Sequence, residues 1–456
     1  MKTFLPLLLL ATAGSAYGEL KSINPTVKKI VDEVSEERIA ANLKKLETFG
    51  TRDIFSSQED EVTGIGAARR WISAQFKSYS PRLQVSFDQY KVKKKNRIFR
   101  DTDLYNVVAI LPGTKDPDHQ FILSAHYDSV ALKRRAEGEP PASGDELTYS
   151  EETLLKTAPG VTDDGSGTAT VMELARVMSQ YEFEKTIVFI TFAGEEEGLI
   201  GASLYARKAH AAKQKIDGVL NNDIIGSDVA GNGRSDNDLV WIFSEEPNDS
   251  GSRQVARYMH EIGERYVPSM KVGMVFRHDR FGRGGDHTPF NQEGYAAVRV
   301  TTPNENFANQ HSATDTFANT SVPYTTRVAK INAASLASLA LAPKAPMVNE
   351  EIQKGPRKGQ FTPLISRGKT RYDARLRWKT ENAEEDLAGY VVVYRQTTSA
   401  DWEHEIFVGN VTEFELKDIS IDNLVFGVKA VDKDGNESLV SAYVQAPRNK
   451  AEIETY

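Results

Sequence analysis

The 456-residue sequence has no cysteine. Disulfides and lipid attachment through an N-terminal cysteine are therefore excluded, and any metal site must draw on histidine, aspartate and glutamate. Also missing is an internal apolar run approaching the roughly 20 residues that span a bilayer, so no membrane span is expected. Positive charge is in short supply too. With 56 Lys and Arg against 64 Asp and Glu the net charge is −8, which disfavours nucleic acid and anionic membranes as partners, because both recruit basic patches. The one basic cluster, Lys91 to Lys95 with Arg97 and Arg100, is expected to solvate a strand end. A dinucleotide fingerprint is lacking as well: Gly64-Ile65-Gly66 falls inside a helical pattern and follows no strand.

What is present is an ordinary globular composition, 40% hydrophobic and 26% charged, in a chain longer than one core usually supports. Two folded units are expected. Met1-Lys2, the apolar run Phe4 to Ala11 and the small residues through Gly18 read as a secretory signal peptide over residues 1–18, cut after Ala16 or Gly18. The mature chain is then secreted, extracellular or periplasmic, and soluble.

Apolar positions recur at helical spacing from about Val27 to Tyr79, as in Ile39, Leu43, Leu46 and Ala68, Trp71, Ile72, Phe76. From Leu104 strands and helices alternate. Strands are expected at Tyr105–Leu111, Phe121–Ser124, Thr186–Phe192, Val219–Ile225, Leu239–Phe243 and Ala296–Val300. Helices are expected at Thr168–Ser179, Leu199–His210 and Pro323–Leu341. The fold class this predicts is α/β: a doubly wound, mostly parallel sheet with helices on both faces, whose ligands bind at the carboxyl ends of its strands. After the linker Ala342 to Pro346, short alternating runs separated by turn residues predict an all-β sandwich over residues 343–448, followed by a tail, 449–456. The strands around Trp378, Tyr390–Tyr394 and Phe426–Val431 resemble a fibronectin type III domain, with Leu424 where that family usually has its corner tyrosine.

Five places in residues 19–342 put carboxylates or imidazoles near predicted strand ends. In Ser124-Ala125-His126-Tyr127-Asp128, His126 and Asp128 are two apart and share a side, so the carboxylate can orient the ring of a metal-bound histidine. A histidine merely satisfied by its neighbour would look the same. Asp163 and Asp164 lie in a glycine-rich turn leading into a helix, where an aspartate is ordinarily a cap. Such a turn can also present a carboxylate that bridges two cations. Glu195, Glu196 and Glu197 follow a core strand. An isolated triple glutamate is usually a solvated face, yet three like charges at the end of a buried strand repel unless a cation sits among them. Consecutive side chains diverge, so one can ligate while its neighbour does acid–base work. Asp223 and His311 complete the set, each unremarkable by itself as a turn or loop residue. Two histidines and a set of carboxylates suit Zn²⁺ better than copper or an iron–sulfur cluster.

The order His-x-Asp, Asp-x-x-Ser-Gly, Glu-Glu-x-Gly-Leu, Asp, then His-Ser-Ala-Thr-Asp-Thr resembles the M28 family of dinuclear zinc peptidases, which includes bacterial leucyl-type aminopeptidases. The likeness extends to Phe49-Gly50-Thr51-Arg52 and Asp286-His287-Thr288-Pro289-Phe290. The resemblance implies two Zn²⁺ per chain: His126 and Asp223 on one, Glu196 and His311 on the other, Asp163 bridging. It makes Glu195 the general base, Asp128 the residue orienting His126, and Asp286 with His287 a supporting segment. The chain departs from the family in two places. The acidic stretch Ala131 to Thr157 is longer than expected and reads as a lid or specificity loop, and Gln310 stands where some relatives carry a tyrosine. The implied reaction is removal of amino-terminal residues from peptides or proteins. A carboxypeptidase or dipeptidase on the same scaffold, a glutaminyl cyclase, and a non-catalytic ectodomain that keeps the fold are the alternatives.

Overall fold

The computed structural model describes residues 21, 23–133, 150–355, 358–381 and 385–444. The expected signal peptide, residues 134–149 of the acidic insertion and the tail lie outside the described residues. The chain divides into two compact units: residues 25–340, and residues from 341 onward together with the described residues before Pro25. Among the described residues no helix is long and apolar enough to cross a membrane.

The first unit opens with three helices, α1 (Pro25–Asp32), α2 (Glu36–Glu47) and α3 (Gly64–Tyr79). The ends of α2 follow from its sequence: the Ser35 side chain accepts the Arg38 N–H, acids fill the first turn, and Lys44 and Lys45 fill the last. Ile39, Leu43 and Leu46 form its buried stripe. There follow β1 (Gln84–Val92), β2 (Thr102–Leu111), β3 (Asp116–His126), α4 (Ser166–Met178), β4 (Lys185–Phe192), α5 (Ile200–Ala211), β5 (Lys215–Asn222), β6 (Leu239–Ser244), α6 (Gly251–Tyr266), β7 (Lys271–Val275), α7 (His287–Gln292), β8 (Ala297–Thr301) and α8 (Val322–Leu341).

The strands form one eight-stranded sheet in the order β1-β2-β4-β3-β5-β8-β6-β7. Its centre, β4-β3-β5-β8, is parallel; β2 joins it antiparallel on one side, with β1 antiparallel to β2 beyond, and on the other side the mutually parallel β6–β7 pair joins antiparallel to β8. Strand β4 is buried at every residue and after Lys185 carries only β-branched and aromatic side chains, the composition of a central strand covered on both faces. Its Val188, Ile190 and Phe192 pack with Ile122, Val219, Ala202, Ala206 and Phe290 in the main core. Helix α4 is buried along almost its whole length. The sequence reading places no strand at β1 or β7 and no helix at α6. Both missed strands are edges of the sheet, where partial exposure dilutes the apolar pattern.

The second unit holds a short pair, β9 (Asn349–Glu351) with β10 (Phe361–Pro363), and two antiparallel sheets. One sheet is β11 (Ile365–Arg367), β12 (Ala374–Arg377) and β15 (Glu413–Leu416). The other is β14 (His404–Gly409), β13 (Leu387–Gln396), β16 (Leu424–Asp432) and β17 (Ser441–Ala442). Leu376 and Leu416 from the first sheet share a core with Tyr390, Val392, Phe426 and Val428 from the second, and Trp378 lies 5.5 Å from the Tyr390 ring. Asn24 belongs to this unit, donating from Nδ2 to Asn436 Oδ1 at 3.2 Å, and Lys21 pairs with Glu405.

Candidate metal centre

Strands β4, β3 and β5 are adjacent and parallel, so their carboxyl ends come out together. His126 is the last residue of β3 and Asp223 follows the last residue of β5. After β4, Gly194 takes φ +74°, a left-handed turn that glycine accepts without strain, and the three glutamates follow. Asp163 sits in the turn ahead of α4, and His311 in the loop after β8.

The structure brings these groups within ligand distance of one another. Asp163 divides its carboxylate: Oδ1 lies 3.3 Å from His126 Nε2, and Oδ2 lies 3.2 Å from His311 Nε2. His126 Nε2 is also 3.9 Å from Asp223 Oδ1 and 4.0 Å from Glu195 Oε2, while His311 Nε2 is 3.0 Å from Glu196 Oε2. Ligand atoms of His126, Glu195 and Asp223, and those of His126, Asp163 and Glu196, each fit within 4.8 Å of one another. Buried carboxylates this close repel, and Glu196 Oε1 is buried with no hydrogen-bond partner. A divalent cation with oxygen and nitrogen ligands fits both facts.

Neighbouring groups fix these side chains. His126 Nδ1 lies 3.2 Å from the Asp128 carbonyl and 3.5 Å from its Oδ1, so backbone and side chain of Asp128 together orient the ring. Asp128 lies beyond the end of β3, and its Oδ2 accepts the Glu196 N–H. Asp164 is the knot of the site. Its Oδ1 accepts the N–H groups of Gly167 at 2.9 Å and Ile224 at 3.1 Å, and its Oδ2 that of His126 at 3.3 Å. Asp315 accepts the N–H groups of Thr162 and Asp163 at 3.0 Å, tying the turn of Asp163 to the loop of His311. The fully buried Arg52 donates to the carbonyls of Leu46, Tyr127, Pro159 and Gly160, joining α2 to the segments that carry His126 and Asp163. The equally buried Arg299 meets Asp223 Oδ2 at 3.1 Å and Asp279 Oδ1 at 3.1 Å. His287 sits against the His278 carbonyl at 3.0 Å, and Asp286 is buried beside it. Sequence reasoning assigned no role to Asp164, Asp315, Arg52, Arg299 or Asp279. For the first three the signal was their place inside the quoted motifs; for the last two there was none.

Electrostatics follow from burial and crowding. Burial, with Asp223, Glu196 and Asp286 nearby, holds Glu195 well above the usual carboxylate range. Burial would lower His126, but hydrogen bonds to Asp128, Asp163 and Asp223 override it and raise the ring well above its ordinary value. Glu196 raises His311 in the same way. A bound cation replaces those protons.

The centre forms the floor of a cleft of about 1260 Å³, whose walls include Arg97, Arg280, Arg283, Leu199, Phe307 and Gln310. Arg97 corrects the expectation for the basic cluster: it faces the cleft and donates to the Glu196 carbonyl at 3.2 Å, because the turn after β1 folds back over the strand ends.

Comparison with known proteins agrees with this geometry. A family model described as peptidase family M28 matches residues 106–336. A "Probable zinc metalloprotease" of Pyricularia oryzae is 37% identical over 442 residues, 89% of this chain and 82% of the relative. Another, of Pyrenophora tritici-repentis, is 35% identical over 445 residues, 90% of this chain and 85% of the relative. Among solved structures, the Legionella pneumophila LapA aminopeptidase superposes with a TM-score of 0.50 at 20% identity, covering 70% of this chain and 77% of that one. The Fimbriiglobus ruber glutaminyl cyclase gives 0.50 at 17%, covering 67% and 95%. At such identities the likeness is one of fold.

Proposed function

The chain belongs to peptidase family M28 and is a zinc metallopeptidase, and from that premise we propose that it is a secreted aminopeptidase holding two zinc ions, with Glu195 as general base. The observation that carries the reading is the divided carboxylate of Asp163, one oxygen turned to His126 and the other to His311. A ligand serving a single ion has no need of that disposition. Asp223 then completes the His126 site and Glu196 the His311 site.

Two zinc ions, when bound, acidify a water and polarise a peptide carbonyl. Glu195 stands 4.0 Å from His126 Nε2, at the floor of the cleft and outside both pairs of terminal ligands. It takes the proton of the attacking water and returns it to the leaving amine, and its raised proton affinity suits both halves of that task. Asp128 and Asp164 keep the His126 ring and main chain in place. Beside the groups given to zinc, Glu195 and Glu197 also line the cleft, and carboxylates left over from ligation favour a substrate bringing a positive charge, the free α-amino group. That favours cleavage at the amino end over the carboxypeptidase alternative.

The three-plus-four strand arrangement around one core supports reading the second unit as a fibronectin type III-like domain. The test of the main proposal is metal content of the purified protein, measured beside hydrolysis of aminoacyl-nitroanilides and of matched free and N-acetylated peptides. About two zinc per chain, chelator-sensitive hydrolysis and no action on acetylated peptides are expected. One zinc at full activity, or equal cleavage of blocked peptides, overturns it.

A further inference from the structure

A line of alternating charges runs from the metal floor to the cleft wall. Asp223 Oδ2 meets Arg299 Nε at 3.1 Å, and Arg299 Nη1 meets Asp279 Oδ1 at 3.1 Å. Asp279 Oδ1 meets Arg280 Nε at 3.0 Å, and Arg280 Nη1 meets Glu305 Oε1 at 2.7 Å. Glu305 Oε2 meets Arg283 Nη1 at 2.7 Å. Each interior member has an opposite charge on either side. The two end members have one each, and both ends open on the same cleft.

At one end, Asp223 turns its remaining oxygen toward His126 and the cation site. At the other, Arg283 engages Glu305 through Nη1, and among the described residues its guanidinium makes no second hydrogen bond or ion pair. Glu305 is shared: Arg280 meets its other oxygen, so Arg283 is held through one nitrogen only. Its side chain is 33% exposed, and the Phe307 ring lies 5.8 Å from the guanidinium carbon. Gln310, in the position noted for its missing tyrosine, donates to Glu305 and helps to fix it. Burial works against the charge of Arg283, but Glu305, with Asp163 and Asp223 beyond, secures it.

A guanidinium held by one edge and presenting another to a cleft is a carboxylate receptor, since the planar fork matches the two oxygens. We infer that Arg283 is a specificity-determining residue that receives a substrate carboxylate, so that the enzyme prefers short peptides bearing an anionic group near the amino terminus. The carboxylate comes either from the free carboxyl end of a di- or tripeptide or from an acidic side chain. The inference rests on the aminopeptidase reading.

The test compares kcat/KM of the zinc-loaded enzyme on Leu-Gly against Leu-Gly-amide, and on Leu-Asp-amide against Leu-Asn-amide, with leucyl-nitroanilide as reference. A preference of about tenfold or more for the carboxylate in the first pair assigns it to the chain end, and in the second to the side chain. In Arg283→Gln the preference falls to about one, and Arg283→Lys keeps part of it, with zinc content showing that the variants remain folded. Ratios near one in both pairs for the unaltered enzyme, with the nitroanilide cleaved, overturn this inference alone. Failure to cleave the nitroanilide or any of the peptides overturns the aminopeptidase reading and this inference with it.

Discussion

At the scale of the residue, the site turns on which carboxylates ligate and which stay free. Glu195 and Glu196 are adjacent in sequence, yet Glu196 Oε2 lies against His311 and Glu195 Oε2 points toward His126 from 4.0 Å. Glu195→Gln is expected to keep its zinc and to lose on the order of 10²–10⁴-fold in kcat, the span typical of a lost general base. Loss of zinc in that variant would instead make Glu195 a ligand. Protons compete with the metal here. His126 and His311 are raised above their ordinary value, Glu195 and Glu196 are raised by burial, and Asp53 nearby is pushed up to about 7, chiefly by burial. All of these bind protons more tightly folded than unfolded, so the stability they lend is present at low pH and falls as pH rises through their folded values. In chelator, the melting temperature of the catalytic unit should fall between pH 6 and pH 8, while zinc affinity rises over the same interval because fewer protons must be displaced. Melting curves and zinc titrations at the two pH values check both directions.

At the scale of the element, three parallel strand ends supply the frame and one buried carboxylate locks it. Removing Asp164 orphans the N–H groups of His126, Gly167 and Ile224 together. At roughly 1 kcal/mol or more for each buried donor, Asp164→Ala should cost about 3 kcal/mol or more and lower zinc occupancy, readable by denaturant unfolding and metal analysis. Much of this frame was legible in the sequence. The β-branched and aromatic run of β4, the glycine turns and the acids at strand ends declare themselves locally, because strand and turn chemistry depend on near neighbours. The edge strands β1 and β7 did not, being half exposed. Nor did the line of charges from Asp223 through Arg299 to Arg283, whose members are brought together from the turn after β5, from β8 and from two further loops. Arg97 was misread for the same reason: a basic run says nothing of where the chain turns. Asp128 was expected to orient His126 through its side chain, and its carbonyl lies nearer the ring nitrogen.

At the scale of the whole molecule, catalysis and the β-rich unit draw on separate cores. Among the described residues, the groups suited to a metal all lie in residues 25–340. Scanning calorimetry should therefore resolve two transitions, only one of which moves when chelator is added, since a ligand stabilises only the unit that binds it. A single transition that shifts as a whole would show the two cores to be coupled. The tie of Asn24 to Asn436 spans 412 positions, and both residues belong to the β-rich unit although the whole catalytic segment lies between them in sequence. On the ribosome, synthesis at about 5–20 residues per second puts roughly 20–80 s between the two partners. Every residue proposed to hold zinc is made inside that interval, so that segment is complete before the residues that hold Asn24 exist, and the order of assembly is written into the chain as a delay.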